Sequence, residues 1–221
     1  MTTRGPALTE HAVVGYVHGG LVRAEFCASL ISIAMEGTTP LDAVLTYASG
    51  PNISTARNKV VREFLDKQRA PWLFMCDTDM VFQPDGLDRL VAAADPVERP
   101  VVGMLAFSQN AEGEPFSTMY ELTQKDTGEL AFTRYAKWPE DTCVRVSATG
   151  AACLLMHRSA LETVEKHAGD EAAPWFRETA VGPLALMGED LTFCLRCAAA
   201  GVPVHVHTGV RAGHMKTTML I

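Results

Sequence analysis

Four short apolar runs, spaced by segments of helical periodicity, constrain the fold of this chain more than any other feature. "AVVGYVH" at residues 12–18 is β-branched and ends in Gly19-Gly20, as a strand and its turn do. "AVLTYAS" at 43–49, "WLFMC" at 72–76 and "VVGMLAF" at 101–107 repeat the signal. Residues 23–36 and 87–94 carry apolar side chains at helical spacing between them. A further helix, "TARNKVVREFLDKQ", follows the Gly50-Pro51-Asn52 break, with Ser54 as its expected N-cap. Strands alternating with helices predict βαβ units, and so an α/β fold with a mostly parallel central sheet flanked by helices.

The middle of the chain breaks this rhythm. Residues 108–141 hold short alternating runs between turn residues, which predicts a small antiparallel excursion. Its strands fall near 117–122 and 131–136, around Asp126-Thr127-Gly128. "VRVSATGAACLLMH" at 144–157 returns to a buried strand, interrupted at Gly150. Helices follow at 159–168, capped by Ser159, and at 188–201, and a last strand covers 202–208. A length of 221 residues suits a single domain able to bury a sizeable core.

Composition removes several classes of function. A net charge of −7 and a pI near 5.5 argue against autonomous binding to nucleic acid, which needs a basic face. No apolar stretch approaches the roughly 18–20 residues of a membrane span, and His18 interrupts the one short apolar run near the start. The six cysteines are scattered, which favours reduced thiols and a cytoplasmic setting.

Against that background "CDTDM" at 76–80 is conspicuous, because an apolar strand delivers two carboxylates to its carboxyl end. Open α/β sheets place ligands there, and paired oxygen donors suit Mg²⁺ or Mn²⁺ shared with substrate phosphates. A plain cap would need one acid, not two. The same letters fit the Asp-x-Asp-x-Val of haloacid-dehalogenase-like phosphohydrolases, with Asp77 as nucleophile, but that motif opens its fold and here two βα units precede it. "GED" at 188–190 opens a helix, where acids serve as caps or as a general base. Arg57 and Asn58 lie near a helix start, which fits a diphosphate or equally a solvated helix face. His205 and His207 in "HVH" with Cys194 and Cys197 mimic a zinc set, though those cysteines sit in an apolar helix. "GVRAGHMKTT" at 209–218 fails as a phosphate loop, since Gly213 stands three residues before Lys216.

Taken in series, "STARN" on a helix, the strand-borne "DTD", "SATGAACLLMHRSALE", "GED" and a trailing His214 resemble glycosyltransferases of the GT-A fold. They are most similar to the family 2-like enzymes of bacteria and phages, over about residues 12 to 216. The resemblance implies one domain over 1–221, with a nucleotide-binding half at 12–107 and an acceptor-side half at 108–221. It implies a DxD motif in which Asp79 ligates a divalent metal, Mn²⁺ or Mg²⁺, with His214 as second ligand. Asp77 would hold the donor ribose or the metal through water, and Thr78 would line the same pocket. Val17, His18 and Gly19 would sit against the nucleoside; Ser54, Arg57 and Asn58 would line the diphosphate pocket. Asp190 would be the base of an inverting enzyme, with Glu189 as the fallback. Gly150 and Ala151 would form a glycine loop beneath donor and acceptor, and Trp175 a platform for sugar or acceptor.

The implied reaction moves a sugar from a nucleoside-diphosphate sugar to an alcohol. The acceptor could be a protein, a glycan, a small molecule or a modified base. A retaining transferase, a nucleotidyltransferase, the phosphohydrolase and a non-catalytic sugar- or nucleotide-binding module are the competing readings.

Overall fold

Successive valines of the first strand point to opposite sides: Val13 and Val17 enter one hydrophobic core and Val14 the other. That alternation makes this strand the spine of a three-layer fold. The computed structural model describes residues 10–124, 130–182 and 185–216. In its first half, β1 (Ala12–His18), α1 (Ala24–Glu36), β2 (Leu41–Ala48), α2 (Ile53–Lys67), β3 (Trp72–Asp77), β4 (Met80–Phe82), α3 (Gly86–Ala93) and β5 (Val101–Gln109) follow one another. The excursion comprises β6 (Pro115–Ser117), β7 (Met119–Gln124), β8 (Leu130–Arg134), β9 (Cys143–Val146) and β10 (Ala148–Thr149). The chain returns through β11 (Cys153–His157), α4 (Arg158–Ala168), β12 (Thr179–Gly182), β13 (Ala185–Met187), α5 (Glu189–Ala199) and β14 (Val204–His214).

The central sheet has the order β2-β1-β3-β11-β5-β14-β4. Strands β2, β1, β3, β5 and β14 share one direction, while β11 and β4 run against it. Helices α2, α4 and α5 cover one face through Val60, Phe64, Leu161 and Phe193; α1 and α3 cover the other through Phe26, Ile33 and Leu87. Each fully buried aromatic or branched side chain of this kind contributes about 1.5–3 kcal/mol relative to exposure. No helix among the described residues is long and apolar enough to cross a membrane.

Several local expectations change. Helix α2 starts at Ile53 and is capped by Asn52, whose Oδ1 accepts from the Thr55 amide at 3.0 Å; Ser54 lies inside the first turn. Helix α4 begins at Arg158, and His157 caps it by accepting from the Ser159 amide, so Ser159 is helical and not the cap. The strand expected over 144–157 is three strands, because the chain leaves the central sheet at Ser147 for β10 and re-enters it as β11, which like β9 runs against the parallel strands. The hairpin pairs Tyr120 with Arg134, while Asp126-Thr127-Gly128 fall outside the described residues. The last strand runs on past 208 to His214, with a register shift between His207 and Arg211 against β5.

Helix α2 lies close against β1. A Cβ on Gly15 would stand 2.5 Å from Val60 Cγ1 and 3.1 Å from Leu73 Cδ1. Glycine is therefore required there by contact and not by backbone angle. Gly15→Ala is expected to cost about 1–3 kcal/mol in urea unfolding. Combined with Val60→Ala it should cost less than the two single changes added, since the second removes the atom that the new methyl meets. Strict additivity would contradict the close packing of α2 on β1.

Candidate active site

Residues from five elements meet at the carboxyl ends of β1, β3 and β14. After Asp77 the chain turns through Thr78 and Asp79 into β4, which pairs with the end of β14 so that Met80 stands opposite His214. The Met215 amide donates to the Asp79 carbonyl at 2.8 Å and ties the far end of the chain to this turn. His214 Nε2 thereby comes to 2.9 Å from Asp79 Oδ2, while Nδ1 lies 3.0 Å from the Phe107 carbonyl. With Nδ1–H assigned as the donor to that carbonyl, Nε2 carries the lone pair and faces a carboxylate oxygen. Two electron-rich groups at one point call for a cation, and the Lys216 ammonium stands 2.6 Å from Nε2.

Arg57 sits on the other side of Asp77. Its helix presents Ile53, Arg57, Val60, Val61 and Phe64 along one stripe, so the guanidinium is carried into the protein and the residue is 3% exposed. Nη2 donates to Asp77 Oδ1 at 2.6 Å and Nη1 to Glu189 Oε1 at 2.7 Å. Burial alone would lower the pKa of Arg57, but the charges of Asp77 and Glu189 outweigh it and hold the guanidinium above its ordinary value. A solvated helix face is thus excluded for Arg57.

Asp190, one residue beyond Glu189, takes a different direction. Its Oδ1 accepts from the Leu191 amide at 2.8 Å, and its Oδ2 would lie 3.6 Å from a Cβ on Gly150. Burial raises its pKa above the ordinary carboxylate range. The neighbouring Glu189 charge adds to this, while the Leu191 amide and Arg57 oppose it. Gly188 lies close beside it: a Cβ there would stand 2.9 Å from Asp190 Oδ1, so a larger residue would have to displace the carboxylate.

Two cavities open around these groups. The larger, about 610 Å³, runs from Val17, His18 and Gly19 past Ser49 and Arg23 to Asp77, Thr78, Asp79 and His214. His18 Nδ1 accepts from the Gly20 amide, which leaves the proton of a neutral ring on Nε2. The smaller, about 270 Å³, is lined by Arg57, Thr118, Tyr120, Gly150, Ala151, Glu189 and Asp190, and it shares Ile53, Asp77 and His214 with the larger. The cavities therefore adjoin across the end of β3.

The other candidate residues stand elsewhere. Asn58 holds the segment at 175–176: its Nδ2 donates to the Phe176 carbonyl and to that of Ser54, and its Oδ1 accepts from the Trp175 and Phe176 amides. Neither Asn58 nor the buried Ser54 lines either cavity. Trp175 is 1% exposed, and its indole N–H donates to the Leu161 carbonyl, so it packs the core and offers no platform. Cys194 and Cys197 are buried in the same core, and burial pushes the Cys194 thiol up to about 12. Burial, with Arg99 and Arg145 nearby, takes His205 down to about 4. Among the described residues no three His, Cys, Asp or Glu side chains converge as a metal cluster. Residues that sequence reasoning missed are Arg23 and Ser49 on the larger cavity, and Thr118 and Tyr120 on the smaller. None of these belongs to a motif; Thr118 and Tyr120 arrive through the excursion.

No protein-family pattern and no curated protein sequence matches this chain. Solved structures do. The chain is similar to A197 from STIV, a viral glycosyltransferase, with a TM-score of 0.60 at 16% identity, over 94% of this chain and 86% of that one. GalNAc-T7, solved with UDP, GalNAc and Mn²⁺, superposes with a TM-score of 0.59 at 11% identity over 95% of this chain. S. aureus TarS, residues 1–349, gives 0.54 at 12% identity over 93%. The match spans 44% of the GalNAc-T7 chain and 60% of the TarS chain. All three are GT-A type glycosyltransferases, and the present chain has the GT-A fold.

Proposed function

We propose that this protein is a metal-dependent glycosyltransferase that moves a sugar from a nucleoside-diphosphate sugar to an acceptor hydroxyl, with inversion. The observation that carries the reading is the pair of adjoining cavities with Asp190 on the wall of the smaller one. The larger cavity takes the donor. Val17, His18 and Gly19 border the nucleoside, and the Nε2–H of His18 offers it a donor. Asp77 and Thr78 face the ribose and diphosphate. The smaller cavity takes the acceptor, above Gly150 and Ala151.

Asp79 and His214 fit a divalent cation in the manner of Mg²⁺ or Mn²⁺, which take few protein ligands and complete their shells with substrate phosphates and water. The Phe107 carbonyl orients the imidazole for that purpose, and the Lys216 ammonium, which takes the same lone pair of Nε2 here, would have to move aside for the metal. The presence of UDP and Mn²⁺ together in the GalNAc-T7 structure supports a nucleotide and a divalent metal here. Held there, a divalent ion would supply charge neutralisation for the leaving nucleoside diphosphate. The protein's own contribution is to place the acceptor hydroxyl against Asp190 and to receive its proton there. A carboxylate whose pKa is raised by burial, as that of Asp190 is, is a stronger base than an exposed one. The phosphohydrolase reading loses support because Asp77 Oδ1 already accepts from Arg57.

Asp190→Asn is expected to lower transfer or donor hydrolysis by at least about 100-fold while UDP–Mn²⁺ binding persists. Wild-type turnover should fall with acid, with its midpoint above the roughly 3.9 of a free Asp. The stability sign is opposite to that of a paired carboxylate. The folded protein favours protonated Asp190, so this stabilising contribution is complete below the unfolded pKa and is lost as pH rises through the folded value. Asp190→Asn should consequently melt higher than wild type at pH 7, and the gap should close on acidification. An equal gap at all pH values would contradict the burial of Asp190.

Asp79→Ala and His214→Ala should each abolish the Mn²⁺-dependent part of the rise in melting temperature that UDP produces. In wild type, saturation at about 100 times Kd corresponds to about 2.7 kcal/mol. Retention of that part in both variants would show that the cation is held elsewhere.

A further inference from the structure

Arg57 spans two acids from distant parts of the chain, Asp77 at 20 residues' separation and Glu189 at 132. Its side chain is 4% exposed, lies 5.8 Å over the Phe176 ring, and keeps Nε buried without a partner. Nη1 and Nη2 serve the two carboxylates at 2.7 and 2.6 Å, so the planar fork fixes the spacing between them. Behind it, Asn58 fastens the 175–176 segment to the same helix, which holds Phe176 beneath the guanidinium. Glu189 and Asp190 are neighbours in the first turn of α5, yet among the described residues Glu189 is ion-paired to a cation while Asp190 Oδ1 accepts from the Leu191 amide.

We propose that Arg57 is a positioning residue. By tying Glu189 to Asp77 it withdraws one acid of the pair and leaves Asp190 as the carboxylate presented to the acceptor. The proposal rests on the transferase reading for its purpose, but the bridge itself does not. Arg57 also compensates the Glu189 charge next to Asp190. Without Arg57, Glu189 would stand uncompensated beside Asp190 and compete with it for the acceptor proton.

The test is a set of variants, Arg57→Met, Arg57→Lys, Glu189→Gln and their doubles, without nucleotide or metal. The Asp190 carboxyl is followed by ¹³C NMR, with its signal assigned through Asp190→Asn. Arg57→Met should raise the Asp190 titration midpoint by about one pH unit or more, as loss of a nearby opposite charge does. Adding Glu189→Gln to it should bring the midpoint back down, and Arg57→Lys should lie between Met and wild type. Melting should drop in Arg57→Met and recover in part in the double, since the second change removes a stranded acid. A midpoint unmoved by Arg57→Met, or a Glu189→Gln shift of the same size with and without Arg57, overturns the proposal. Should Arg57→Met fail to fold, Arg57→Lys with and without Glu189→Gln decides it by the same readout. Titration of the wild-type protein with UDP and Mn²⁺ reports separately on the transferase reading.

Discussion

The buried fork of Arg57 is the interaction on which the rest of the site depends. An uncompensated guanidinium in that position would be costly, and so would either carboxylate that faces it. Their mutual satisfaction joins α2, the end of β3 and the start of α5. It also gives a physical reason for two acids at the tip of an apolar strand. Asp77 answers Arg57 on one side of the turn, and Asp79 answers His214 on the other.

The architecture supports that arrangement by bringing distant segments to one end of the sheet. The three residues of β4 suffice to pair with the end of β14, and that pairing sets His214 against Asp79 across 135 residues of sequence. The chain that leaves β5 for the antiparallel excursion returns through Thr118 and Tyr120 to wall the smaller cavity. The fold thus forms two adjoining cavities, which the proposed reading assigns to donor and acceptor, and Asp77 with His214 stands where they meet.

The strands and helices of the first half were legible because their signals are local: β-branched runs, helical spacing and Gly-Pro breaks. The mixed strand directions were not, because β9 and β11 both run against β14 and β5, on either side of a break at Ser147 that no residue pattern announces. Nor was the full length of β14, where a register shift interrupts the alternation before His214. Arg57 could have been placed inside by noting that it shares a helical stripe with Ile53, Val60, Val61 and Phe64. Trp175 could not, since an aromatic residue in a loop reads alike as platform or core until its indole N–H is seen to bond Leu161. Asn58 stands beside Arg57 in "ARN", yet it turns to the 175–176 segment, a contact 117 and 118 residues away that sequence spacing cannot reveal.

The account stands most directly on a crystal of the protein grown with UDP and Mn²⁺ and measured for anomalous scattering at the manganese edge. It predicts a manganese peak within coordination distance of both Asp79 and His214, with the diphosphate beside it and the uridine against Val17, His18 and Gly19. A manganese peak away from that pair, or UDP bound outside the larger cavity, would contradict it.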